Sequence, residues 1–418
     1  MKRPDDIRIA DLAKPVLTEA QLAAIERVSS VPIQLTEAGV LDAAQRQTGL
    51  VDFGCDDFRS RLRVWLQTVN EDERLGPLGR FGLYANCVRL LANRLRLEEL
   101  LRQSPEILEE EIDRPIIVAG LPRSGTTHLL NLLAADARLR SLPYWEALEP
   151  FPKPGEGPGR DGRDPRYLRC QQMYDQVAAR LPLLRAMHDM PPEHVHEEVE
   201  LLDLDFASYQ LEWVCLAPRW RDYYLSLDLR PNYAYLKKAL QALQWLRRGE
   251  RWVLKCPQHL EQLGPLIETF PDATVVLTHR DPVSVIRSAI TMMAYGERLR
   301  RTRIDLPALA DYWIDRIERL LRACVRDREL LPAQRSMDVV FHRLLQDDVG
   351  TVKRIYAAAD FPLAPAAQSA ISEFISANPR GKHGQVIYDL QGDFGVDPQQ
   401  VRRRFDFYFD RFGVRPED

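Results

Sequence analysis

Cysteine, apolar runs and basic excess are all in short supply. The 418 residues hold six cysteines, Cys55, Cys87, Cys170, Cys215, Cys256 and Cys324, far apart and never as a Cys-x-x-Cys pair. Such spacing suggests neither a zinc site nor a disulfide framework, and plain reduced thiols point to a reducing, cytoplasmic setting. No stretch approaches the ~18 apolar residues of a membrane-spanning helix, which leaves peripheral contact as the only membrane association in view. Residues 1–15 mix charges without an apolar core, unlike a signal peptide. Lys and Arg number 57 against 61 Asp and Glu, a net charge of −4. A nucleic-acid partner is therefore not expected, and any anionic ligand must be held by local placement of charge. No cluster of ligating side chains calls for a metal, and no internal repeat is visible.

The hydrophobic content, 45 %, does support a large core. Residues 1–113 read as a helical extension. "LTEAQLAAIERV" opens on a capping box, Thr18 followed by Gln21, and "LYANCVRLLANRLRLEELLRQ" repeats apolar residues at helical spacing. The pattern changes at "RPIIVAG", where a short continuous apolar run suits a buried parallel strand. Strand–helix units recur at "RWVLKCPQHLEQLGPLIETF" and "ATVVLTHRDPVSVIRSAITMM", and "MDVVF" offers a fourth strand. Residues 114–418 thus read as an α/β domain, a central parallel sheet flanked by helices. The Gly- and Pro-rich segment 151–166 reads as an exposed, mobile loop. A helix is expected over 307–330, and helical structure over 195–209.

The chemistry concentrates after the first strand. Gly120-Leu-Pro-Arg-Ser-Gly125-Thr126-Thr127 has the Gly-x4-Gly frame of a phosphate-binding loop, with a strand before it and a helix after. Inward-turned backbone N–H groups and a helix N-terminus favour an anion there. Thr126 stands where nucleotide triphosphatases carry the lysine that reaches the β- and γ-phosphates. Arg123 supplies a fixed charge and a planar donor fork instead. This argues against an ATPase. Arg280, at the end of the "VVLTH" strand, and Ser288, in the next helix, form a second candidate anion site. His279-Arg280-Asp281 with Asp393-Phe394-Gly395 superficially suggests a protein kinase. Ile286 stands where kinases need asparagine, and no glycine-rich loop precedes the pair.

Taken together, "LPRSGTT", Arg280 with Ser288, "WEALEP", "LKCPQHL" and "NPRGKHG" resemble the sulfotransferases that use PAPS (3′-phosphoadenosine-5′-phosphosulfate), in their bacterial, broad-specificity branch. The resemblance runs from about residue 114 to 384. It implies a P-loop-like α/β fold and transfer of a sulfuryl group from PAPS to a hydroxyl of a small or lipid-like acceptor, without a metal. By the same resemblance Arg123, Ser124, Gly125, Thr126 and Thr127 would hold the 5′-phosphosulfate. Arg280 and Ser288, with Arg380 and Lys382, would hold the 3′-phosphate. His128 stands where cytosolic relatives stack a tryptophan on adenine. Arg123 and Lys255 are the candidates to neutralise the leaving oxygen. A base is needed for the acceptor hydroxyl, and the segment "PPEHVHEEVELLDLDF" offers Glu198 and Glu197 beside apolar neighbours that would raise a carboxyl pKa. His194, His196 and His259 stay open as alternatives. Residues 150–250 carry the insertion expected to face the acceptor, and Trp213, Trp220, Tyr223, Tyr224 and Tyr235 are candidates to line its pocket. A P-loop nucleotide kinase or ATPase, and a non-catalytic nucleotide-binding relative, are the competing readings.

Overall fold

The protein is described by a computed structural model covering residues 6–159, 162–379, 382 and 384–417. Its centre is a five-stranded sheet: β1 (Ile116–Gly120), β2 (Leu139–Arg140), β3 (Arg251–Lys255), β4 (Thr274–His279) and β5 (Ser336–Val340). The spatial order is β2-β3-β1-β4-β5 and every pairing is parallel. Ile117 of β1 sits level with Leu254 on one side and Val275 on the other. This register follows from burial on both faces. Ile117, Leu254, Val275 and Leu277 join a core that reaches Phe58, Trp65, Leu90 and Leu91 of the N-terminal helices. Ile116, Val118, Val253 and Val276 face the other way, onto Leu129, Leu133, Val352 and Ile355. Each fully buried aliphatic side chain contributes about 1.5–3 kcal/mol by removal from water, and a one-residue slip would exchange the two faces.

The strands expected from "RPIIVAG", "RWVLK", "ATVVLTH" and "MDVVF" are all present, and the helix expected over 307–330 is Leu306–Asp327. Thr18 and Gln21 form the reciprocal capping box read from the sequence. Four helices, Glu19–Ser29, Glu37–Thr48, Phe58–Glu71 and Pro77–Gln103, make up the N-terminal part. In the segment 151–166, the Arg169 guanidinium binds both Glu149 and Glu156, tying the loop's first residues to the helix Pro165–Arg180.

Helical structure throughout 195–209 is not what forms. Only Val199–Leu202 and a single turn at Asp203–Asp205 are helical. The preceding residues are drawn out into backbone pairing with the 142–145 segment: His196 N–H donates to the Leu142 carbonyl at 2.7 Å and Tyr144 N–H to the His194 carbonyl at 2.8 Å. Phe206 ends the turn with φ of 49°.

The sheet order locates the site. The chain leaves β1 through helix Thr126–Ala134, which covers one face, and leaves β4 through helix Pro282–Arg300, which covers the other. Adjacent strands whose connections part to opposite faces open a crevice at their carboxyl ends, where open α/β sheets bind ligands.

Candidate active site

The loop after β1 is shaped by close approach. A Cβ on Gly120 would stand 1.9 Å from the Thr278 hydroxyl of β4, so only glycine fits. Gly125 has φ of +89°, and a Cβ there would meet the Phe341 ring at 2.7 Å. Arg123 is also left-handed, with φ of 66°, an uncommon conformation for a residue other than glycine. The Ser124 hydroxyl donates to the Leu121 carbonyl at 2.6 Å and pairs with Thr278 at 2.8 Å. Its side chain therefore braces the turn from within. Gly125 caps the following helix without a side-chain hydrogen bond, which leaves the first-turn amides of Thr126 and Thr127 uncapped.

Arg280 and Ser288 do converge on this loop. Arg123 Nε donates to Ser288 Oγ at 3.0 Å, and Arg280 Nη1 donates to the Arg123 carbonyl at 2.7 Å. The Arg280 guanidinium lies over the Phe341 ring at 4.1 Å and is gripped by the Glu417 carboxylate, with Nη2 to Oε2 at 2.7 Å. Glu417 is itself anchored: its N–H donates to Asp281 Oδ2 at 2.7 Å, and its carbonyl accepts from Arg402 at 2.9 Å. Lys382 is exposed, its ammonium 3.5 Å from Asn378, and Arg380 lies outside the described residues. His128 turns its Nε2 to Asp348 at 3.0 Å.

A second cluster meets the loop from β3. Lys255 ends that strand almost fully buried, and its ammonium makes a close ion pair with Glu197 while lying 3.5 Å from the Thr127 hydroxyl. Glu198, the next residue, is turned away. Its Oε2 accepts from the Lys255 backbone N–H at 2.8 Å, and its Oε1 pairs with His259 Nε2 at 2.8 Å. His259 Nδ1 in turn meets the Tyr233 hydroxyl at 2.7 Å. Both Glu198 oxygens are thus committed inside the protein, at zero exposure, whereas Glu197 lines the cleft. Burial raises the Glu197 pKa above the ordinary carboxyl value, with the Lys255 ammonium opposing. Burial lowers His194 to about 4 and moves His196 in the same direction. Neither ring nitrogen of His196 makes a hydrogen bond.

Arg123, Thr126, Thr127, Glu197 and His196 line one cleft of about 220 Å³, whose remaining wall includes Leu181, Leu184, Met190, Trp213 and Met293. Of the five aromatic residues expected around the acceptor, only Trp213 lines this cleft. Trp220, Tyr224 and Tyr235 are core, and Tyr223 packs against Trp220. Thr278, Phe341, Tyr233 and Glu417 left no local signal in the sequence, because each reaches the site across the fold. Among the described residues no group of three His, Cys, Asp or Glu could hold a metal ion, and no helix is long and apolar enough to cross a membrane.

The profile of the "Sulfotransferase family" matches residues 115–365, more than half of the chain. This chain belongs to the sulfotransferase family. Within it, the omega-hydroxy-beta-dihydromenaquinone-9 sulfotransferases Stf3 of Mycobacterium bovis and Mycobacterium tuberculosis are 25 % identical over 259 residues, 58 % of this chain. The match spans 62 % of the length of those relatives. Among solved structures, sulfotransferase STF1 from Mycobacterium tuberculosis H37Rv superposes with a TM-score of 0.77 and 29 % identity, covering 91 % of this chain and 99 % of that one. Sulfotransferase STF9 from Mycobacterium avium shares the fold, with a TM-score of 0.82 at 24 % identity, over 93 % of this chain and 100 % of that one. The sulfotransferase fold is thus shared over nearly the whole length.

Proposed function

We propose that this sulfotransferase-family protein transfers a sulfuryl group from PAPS to a hydroxyl of a small or lipid-like acceptor, with Glu197 as the general base. The observation that carries the reading is the Glu197–Lys255–Thr127 contact chain, which sets a carboxylate of raised pKa beside the anion loop and inside the cleft. The residues suit a nucleotide with anionic groups at both ends. Arg123 and the uncapped amides of Thr126 and Thr127 would hold the phosphosulfate, and Arg280 with Ser288 would hold the 3′-phosphate. The donor supplies an activated sulfur–oxygen bond: that bond breaks as the acceptor oxygen bonds to sulfur. Glu197 takes the acceptor proton. Lys255 and Arg123 balance the charge that develops on the departing phosphate oxygen. Glu198 and His259 act behind them, fixing the Lys255 backbone.

The test pairs binding with turnover. Bisphosphorylated adenosine (PAP) is expected to protect the protein from heat more than ATP–magnesium does. Glu197→Gln should keep that protection and lose sulfuryl transfer from labelled PAPS to a panel of phenols and primary alcohols, by 100-fold or more as an order of magnitude. Equal or greater protection by ATP–magnesium would support a nucleotide kinase instead. PAP protection with no transfer to any acceptor would support a binding protein.

A further inference from the structure

A second cavity adjoins the cleft. The helix Pro165–Arg180 presents Met173, Tyr174, Val177 and Ala178, which fall on one face at helical spacing, to a chamber of about 100 Å³. Tyr144, Leu181, Leu184, His188 and Met190 belong to the walls of both spaces, so the chamber adjoins the cleft along this shared wall. Its charged groups sit together: the Arg185 guanidinium lies 3.6 Å from Asp189, and Asp189 accepts from the Tyr174 hydroxyl at 2.7 Å. The shared wall is uncharged as well, since burial keeps His188 neutral. A space lined this way does not hold water well and gains from apolar filling.

We infer that this chamber is a binding site for an unbranched apolar extension of the acceptor, whose hydroxyl lies at Glu197 and whose chain passes His188 between the two spaces. The inference rests on the reading of Glu197 as the base, and it deepens that reading. The acceptor class is then a long-chain alcohol or a hydroxylated lipid, and a compact phenol fills only the first space. The ring faces and methyl groups that line the chamber recognise length, and its two charged groups, Arg185 and Asp189, lie 3.6 Å from one another. Each methylene that enters it strengthens binding by about threefold to fourfold until the chamber is full.

The probes are 1-butanol, 1-octanol and 1-hexadecanol, with labelled PAPS as donor. The apparent KM is expected to fall steeply from the short alcohol to the long one. Ala178→Trp, which fills the chamber, should raise KM for hexadecanol at least tenfold and change that for butanol less than twofold. Met173→Trp is a second filling variant on the same face, used if the first melts early. Equilibrium dialysis of labelled hexadecanol against PAP-loaded protein gives the same comparison without turnover. Equal binding of all three alcohols, or hexadecanol binding untouched by both substitutions, overturns the inference. Failure of PAP to bind overturns the donor reading instead, and dialysis of the alcohol alone still decides the chamber.

Discussion

At the scale of single residues, Glu197 and Glu198 show how one peptide unit separates two roles. Glu198 has a backbone N–H and an imidazole as partners and cannot meet a substrate, while Glu197 looks into the cleft with Lys255, among the described residues, as its one charged contact at hydrogen-bond distance. With Glu197 as the proposed base, burial, which raises its pKa, means that its deprotonated form is reached at higher pH than for an ordinary glutamate. A pH–rate profile should therefore show an acid limb displaced upward, and Glu197→Asp should preserve a limb while Glu197→Gln abolishes the rate it describes. The neighbouring imidazoles act on stability. Burial depresses His188, His194 and His196, so the unfolded chain binds more protons than the folded one below the ordinary histidine value of 6.5. Stability contributed by these groups is complete above about 6.5 and is lost as pH falls toward about 4, where His194 titrates in the fold. Urea unfolding at several pH values should show this slope, and His194→Phe should flatten it.

At the scale of elements, the strand–loop–helix unit is the most exacting piece. Gly125→Ala forces a side chain into a left-handed position and against Phe341, which should remove about 1–3 kcal/mol of stability and weaken PAP binding together. Thermal melting with and without PAP separates the two effects. This unit was also the most legible part of the sequence, since an apolar run, two glycines and a helix start are all local signals. The same holds for the strands ending in Lys255 and His279, whereas Arg280 and Ser288, which both contact Arg123, were matched to one another by the family resemblance. What stayed hidden was non-local. β2 has only two residues, too few to show a period. The stretch around His194 and His196 reads as helix by composition but is extended, because backbone groups of 142–145 take its hydrogen bonds. Glu197 therefore precedes the helix it was expected to join, and no sequence spacing could distinguish its direction from that of Glu198.

At the scale of the whole molecule, a buried ionic network ties one wall of the cleft to the rest. Arg316, on helix Leu306–Asp327, binds Glu212 at 2.9 Å and Glu261 at 2.7 Å with no exposure, and Tyr312 adds its hydroxyl to Glu212. These contacts join the segment carrying Trp213 to the turn that carries His259. Arg316→Met leaves two buried carboxylates without their cation, and a loss of about 3–5 kcal/mol is expected in urea unfolding. The Glu417 contact has a different consequence. On the proposed reading, in which Arg280 holds the 3′-phosphate, that phosphate competes with the Glu417 carboxylate for the guanidinium, and its binding loosens the segment that follows helix Asp406–Phe412. Both partners are partly solvated, so the contest is mild, and Glu417→Gln should tighten PAP binding by about twofold to fivefold in calorimetry. Trypsin should meanwhile cut near Arg415 faster when PAP is present than when it is absent, so that cleavage after helix Asp406–Phe412 reports whether the proposed donor pocket is filled.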